Sequence, residues 1–238
     1  MKFDTEFFTR VFAGSLKAIP LTLYVSLWAF IFGLLIGIVI ALIRYRDIPV
    51  LRKFCQFYVS FLRGTPALLQ LYIIYYMIPM VIDAVLTNTG SAFRTNQIPT
   101  QVLVVIAFAI NCSAYLSEII RGGLAAVGKG EIEAAYSIGM TDGMVIRTVI
   151  IPQVLTISLP NLSTNLIAVV HASSLAYFVS LLEVTGTAKV MASSGWKYFE
   201  AFVATGIIYW FLTVIIELLT FLLEKLVAKR GYGIKQNA

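Results

Sequence analysis

Apolar residues in this chain fall into blocks as long as a lipid bilayer is thick, with polar stretches between them. The blocks run from Ile19 to Ile43, Pro66 to Leu86, Pro99 to Ile120, Pro152 to Phe178 and Ala201 to Leu223. A helix rises about 1.5 Å per residue, so roughly 20 apolar residues cross the hydrocarbon core. Backbone amides in lipid must be paired inside a helix or a closed barrel. Barrel strands alternate polar and apolar residues, and the run from Phe30 to Ile43 does not. The pattern therefore predicts an all-α integral membrane protein with five transmembrane helices. The first block carries no small-residue cleavage pattern and is expected to remain as a span, not to act as a signal peptide.

Ahead of that block, Phe3, Phe7, Phe8, Val11 and Phe12 recur at helical spacing among Asp4, Glu6, Thr9 and Arg10. This predicts an amphipathic helix within residues 1–18, lying on the outer leaflet as a belt, with a frayed apolar terminus as the alternative. No internal repeat or soluble domain is visible, so residues 1–238 read as one membrane domain. Residues 19–224 hold the spans and a polar loop at 121–151, and residues 225–238 form a tail.

Composition agrees, since 59% of residues are hydrophobic and only 13% charged, against about a quarter charged in soluble domains. Lys and Arg bias sets the orientation. With the amino terminus outside, Lys2, Arg10, Lys17, Arg94, Lys189 and Lys197 lie in outer segments, leaving twelve of the eighteen basic residues inside. The amino terminus is thus expected outside and the carboxyl terminus in the cytoplasm. The net charge of +6 is then a topology signal and implies no nucleic acid partner. Cys55 and Cys112 have no Cys or His at ligand spacing and read as small packing residues. Gly33 and Gly37 form a small-xxx-small pair suited to helix packing.

The polar stretch from Arg121 to Ile151 cannot be a span. Residues Gly130 to Ile138 favour a helix, Gly139 can take the left-handed conformation that ends one, and Thr141 or Asp142 can cap a second helix to Ile150. Ala134 and Ala135 let a neighbour approach closely, and Ile138, Met144, Val145 and Val149 offer an apolar face. Glu133 complements the positive helix end and can meet a partner arginine. A hairpin that only connects two spans is the plainer reading.

This stretch reads Glu133-Ala134-Ala135, then Gly139, Val149 and Ile151-Pro152. It resembles the cytoplasmic coupling motif of permease subunits in ATP-binding-cassette (ABC) importers, with Val149 in place of Ile and Ile151 in place of Leu. Further motifs fit the polar amino-acid branch of that family, which carries histidine, arginine, glutamine, glutamate or cystine. These are Phe61-Leu62-Arg63-Gly64-Thr65-Pro66 with Leu69-Gln70, then Ala114-Tyr115 with Glu118, Arg121 and Gly122, and Ser173-Ser174-Leu175. The resemblance covers essentially the whole chain. It implies a type I importer permease in a bacterial cell membrane, paired with itself or a sister permease, coupled to an ABC ATPase subunit and fed by an external binding protein. The coupling residues would be Glu133, Ala134, Ala135, Gly139 and Met144. ATP and Mg would be bound by the ATPase, since no Gly-rich loop followed by Lys-Ser or Lys-Thr occurs here. No catalytic cluster is present either, so the chain is not expected to be an enzyme.

Candidate pathway residues follow from polarity inside the spans. Pro66 suits a first helical turn and Thr65 its cap, where free amides can hold a carboxylate; an ordinary cap with a snorkelling Arg63 is the alternative. Gln70 can face a cavity or bond another helix. The fourth block carries Asn161, Ser163, Thr164, Asn165, His171, Ser173 and Ser174, groups that should avoid lipid. His171 is the chain's single histidine, which builds neither a metal site nor a triad. It reads equally as a packing residue or a cavity contact. Glu118 and Arg121 sit at i and i+3, an ion-pair spacing or a latch between the loop and the third span. Glu183 can guard a gate or cap a short helix. The second, third and fourth blocks hold no Asp or Glu near their midpoints, which favours a neutral ligand such as cystine or glutamine over arginine. An ion-coupled secondary amino-acid transporter is the alternative function.

Overall fold

The computed structural model describes residues 3–89 and 98–227, the backbone alone at 86–89. Lys2, Arg94, Lys229, Arg230 and Lys235 from the orientation count, and most of the expected tail, lie outside the described residues. The chain is helical throughout them: α1 Thr5–Leu16, α2 Ile19–Tyr45, α3 Pro49–Gly64, α4 Ala67–Thr89, α5 Thr100–Ala126, α6 Lys129–Ser137, α7 Asp142–Val145, α8 Ile151–Ala172, α9 Val184–Ser193 and α10 Tyr198–Val227. A π-helical turn at Ile146–Ile150 joins α7 to α8, and a 3-10 helix at Ser173–Val179 follows α8. Among the described residues, five helical segments are long and apolar enough to cross a membrane: Ile19–Tyr45, Ala67–Val85, Thr100–Ala126, Asp142–Val179 and Tyr198–Val227.

The α5 helix is the central post, with 67% of its most apolar window buried, against 33% or less in the other spans. Val104, Phe108, Cys112 and Leu116 pack against Val25 and Ala29 of α2, Leu71 of α4 and Val169 of α8. Close approach of α2 needs the two glycines. A Cβ at Gly33 would stand 2.2 Å from Cys112 Sγ and 2.9 Å from the Ala109 carbonyl, and one at Gly37 would stand 3.0 Å from the Ser117 amide. Both cysteines are buried and free.

Four expectations change. Residues 44–65, left between the first two expected spans without a helix, contain α3. Its Cys55, Val59 and Leu62 pack on Ile40 and Ala114, while Phe54, Phe57 and Phe61 face outward among Arg52 and Lys53. The polar loop begins at Val127 instead of Arg121, because α5 runs on to Ala126. The second loop helix is continuous with the fourth span through the π turn. Pro152 sits in the first turn of α8, and the wider turn before it accommodates a residue that lacks an amide and crowds the carbonyl four residues back. Finally, α1 is docked on protein as well as amphipathic: Phe7 and Val11 pack against Ala188 and Ala192 of α9 and Ala201 and Ala204 of α10. Asp4 caps α1 by accepting from the Phe7 amide at 2.9 Å and pairs with Lys197.

Candidate translocation cleft and coupling knob

The residues of the polar loop build a knob at one end of the bundle. Helix α6 ends in a Schellman turn, in which the Met140 amide donates to the Ala135 carbonyl at 3.2 Å and the Gly139 amide to the Tyr136 carbonyl at 2.9 Å. Gly139 holds φ +83, a conformation that costs a residue with a Cβ about 1–2 kcal/mol. Thr141 precedes α7 with extended backbone, though its side chain makes no capping bond. The Tyr136 hydroxyl bonds the Asp142 carboxylate across the turn, which holds the phenol above its ordinary pKa. Gln153 donates to Glu131, tying α6 to α8. Glu133, Ala134, Gly139 and Met144 are exposed, whereas Ala135 and Val145 turn inward. The exposed apolar face is therefore Tyr136, Ile138, Met144 and Ile146; Ile138 and Met144 are as expected, whereas Val145 is buried and Val149 half-buried.

Between α5 and α8 lies a cleft made of two adjoining cavities. The first, about 290 Å³, is lined by Phe108, Asn111, Cys112, Tyr115, Asn165, Ala168, Val169 and Ala172. The second, about 270 Å³, shares Tyr115, Asn165 and Ala168 and adds Arg63, Glu118, Ile119, Asn161 and Thr164. Asn161, Asn165 and Ala168 fall at successive three- and four-residue steps of α8, as do Phe108, Asn111 and Tyr115 on α5, so each helix presents one stripe. Toward the loop the two helices meet: a Cβ at Gly123 would lie 2.4 Å from Ser158 Oγ. Asn165 Oδ1 is buried with no hydrogen-bond donor.

Of the polar residues expected along the path, Asn161, Thr164 and Asn165 line this cleft, whereas Thr65, Gln70, Ser163, His171, Ser173 and Ser174 are not among its lining residues. Gln70 is buried and saturated: its Nε2 donates to the Leu62 carbonyl at 2.8 Å and to Thr65 Oγ1 at 2.7 Å, and its Oε1 accepts from Asn111 Nδ2 at 2.9 Å. It supports the wall through Asn111. The Thr65 hydroxyl donates back to the Phe61 carbonyl at 2.9 Å and so closes α3, instead of serving as the expected cap of α4. His171 turns to the opposite side, with Nε2 3.0 Å from Thr213 Oγ1 and its ring edge-on to Tyr209. Ser173 and Ser174 donate to the Val170 and His171 carbonyls, the ordinary fate of a serine inside a helix.

Glu118 is a junction. Arg44 Nη1 of α2 lies 2.6 Å from Oε1, Arg121 Nη2 lies 2.8 Å from Oε2, and Arg63 Nη1 of α3 stands at 3.9 Å. The i,i+3 pair with Arg121 thus forms, but the partner from α2 is closer and was invisible to local spacing. Glu183 is fully buried and caps α9, accepting from the Gly186 amide at 2.8 Å and from the Tyr209 hydroxyl at 2.6 Å. Asn111, Phe108 and Tyr115 were missed as lining residues. The available signal was Asn111 itself, an amide near the middle of an apolar block and one turn before Tyr115.

Residues 33–229 match the family described as binding-protein-dependent transport system inner membrane component. The chain belongs to that family. It is similar to the "Probable amino-acid permease protein YxeN" of Bacillus subtilis, with 34% identity covering 95% of this chain and 96% of the relative. It is also similar to the "L-cystine transport system permease protein TcyL" of Bacillus subtilis, with 31% identity over 89% of this chain and 86% of that one. A crystal structure of an amino acid ABC transporter with histidines superposes with a TM-score of 0.74 at 33% identity, covering 94% of this chain and 99% of that chain. This permease is thus a multi-pass inner-membrane subunit of a multi-subunit ABC importer, with the five-span all-α fold typical of type I permeases. It acts with a separate ATPase and is not itself an enzyme. An ion-coupled secondary transporter is displaced as a reading by the family match.

Proposed function

We propose that this permease carries an amino acid through the α5–α8 cleft and takes its driving force through the α6–α7 knob. The observation that carries this reading is the cleft, where Asn111, Asn161, Thr164 and Asn165 present polar groups that lipid would penalise. The names of the relatives, both amino-acid permeases, support the substrate class. Among the described residues, the one carboxylate lining the cleft is Glu118, which Arg44 and Arg121 already engage. A neutral amino acid such as cystine or glutamine therefore suits it better than arginine.

The knob's exposed Tyr136, Ile138, Met144 and Ile146, beside the uncovered Glu133, suit a groove on an ATPase subunit. The Lys and Arg bias supports an outside amino terminus, which puts the knob in the cytoplasm where nucleotide is available. A second permease subunit completes the pore and an external binding protein delivers the ligand. Ion pairs at Glu118 would pass knob movement into α5 and toward α2 and α3.

The test is uptake by the complete complex in proteoliposomes. Cystine or glutamine uptake exceeds that of arginine, and Glu133→Lys or Gly139→Asp lowers uptake at least about tenfold while ATP hydrolysis continues, as the loss of a charge-assisted contact or of the turn implies. Normal uptake by both variants at normal expression contradicts the knob's role, and a preference for arginine contradicts the substrate class.

A further inference from the structure

Three arginines converge on one carboxylate, and they are not equivalent. Arg44, 13% exposed, and Arg121 occupy the two oxygens of Glu118 at 2.6 and 2.8 Å. Arg63 stands 3.9 Å away, beyond hydrogen-bond reach, and remains 48% exposed. Its guanidinium lies over the Tyr115 ring at 5.6 Å, a cation–π contact that fixes it on the cleft wall without using its donors. The charge of Glu118 is spent on the other two, so Arg63 is a cation with an uncommitted donor fork on the cleft wall.

The same cleft holds the complementary group. Asn165 Oδ1 is a buried acceptor with no donor, a rarity in folded proteins that calls for a partner. Both residues line one cavity with Tyr115. A guanidinium fork matches a carboxylate in bidentate geometry, and an amide oxygen accepts from an ammonium or amide group. A zwitterionic amino acid supplies both halves.

We infer that the Arg63 guanidinium receives the carboxylate of the transported amino acid, with the Asn165 oxygen accepting from its ammonium or side-chain amide. This rests on the cleft being the substrate path, and it assigns the carboxylate to a side chain of α3 instead of the amides at the start of α4. It also explains selection: surplus positive charge at this end of the cleft repels a cationic side chain and accepts a neutral or anionic one.

The test measures ligand binding to the detergent-solubilised permease–ATPase complex without the binding protein. The probes are L-glutamine, L-cystine and L-glutamate, each beside the same amino acid with its α-carboxylate converted to a carboxamide. Wild type binds at least one acid form about 10- to 100-fold tighter than its carboxamide, the range for a hydrogen bond to a charged group. Arg63→Gln abolishes that ratio, Arg63→Lys gives an intermediate one, and Asn165→Leu weakens both forms. If Arg63→Gln weakens both forms equally, or leaves the ratio intact, while Asn165→Leu still weakens binding, the carboxylate assignment is overturned and the cleft stands. If no probe binds, or Asn165→Leu changes nothing, the cleft reading itself falls and the inference with it. Should the Gln variant fail to assemble, an unchanged ratio in Arg63→Lys, which keeps the charge and loses the fork, overturns the assignment.

Discussion

The two sides of α5 are built on opposite terms. Against α2 it meets glycines, and the helices approach so closely that a single added carbon would strike backbone or sulfur. Against α8 it leaves a cleft lined by asparagines and a tyrosine, closed toward the loop where Gly123 meets Ser158 and Val154. Lipid offers little hydrophobic drive for helix association, so tight small-residue packing is what holds a membrane core together. A path for a polar solute needs the reverse: polar groups, some unmet, and room between them. One helix can serve both ends because its faces repeat independently every three to four residues.

The sharpest way to break this contrast is to place the same side chain on each face. Gly33→Leu forces its Cβ to within 2.2 Å of Cys112 Sγ and 2.9 Å of a backbone carbonyl that cannot move aside. It should cost at least about 3 kcal/mol, the upper range for overpacking, and yield little folded protein by size-exclusion chromatography. Asn165→Leu, on the cleft side, should leave the thermal midpoint of the complex near wild type, because it removes an unmet acceptor. Equal losses in the two variants would show that the cleft is packing and not path.

A smaller effect tests the periphery. The hydrogen bond with Lys197, aided by the Phe7 amide, holds the Asp4 carboxyl below its ordinary pKa. A carboxyl whose pKa is lower folded than unfolded contributes fully above the ordinary carboxylate range and loses that contribution as pH falls through its depressed value. Docking of α1, followed by limited proteolysis, should be constant from about pH 5 to 8 and loosen modestly only below about pH 4, around the ordinary value for aspartate. Sensitivity near pH 6 would mean that another group holds the helix.

The spans and the knob were legible because each rests on local pattern: apolar runs of bilayer length, and Gly139 followed by Thr141 and Asp142. Helix α3 was obscured by Arg44, Arg46, Arg52 and Lys53, which made the stretch look like a loop, although Cys55, Val59 and Leu62 already kept helical spacing. Partners distant in sequence were hidden. Nothing local shows that Arg44 reaches Glu118 before Arg121 does, that Gln70 is consumed by Thr65 and Asn111, or that His171 turns toward Thr213. Polarity along α8 identified groups that avoid lipid, but the choice between a neighbouring helix and a cleft depends on the rotation of α8, which only packing fixes.

The most direct measurement is the position of bound substrate in a structure of the complete importer, solved with ligand present. Ligand density is expected between α5 and α8, in contact with Asn165 and on the side of Tyr115. Density lying wholly elsewhere, with Asn165 untouched and the α5–α8 cleft closed, would contradict that placement.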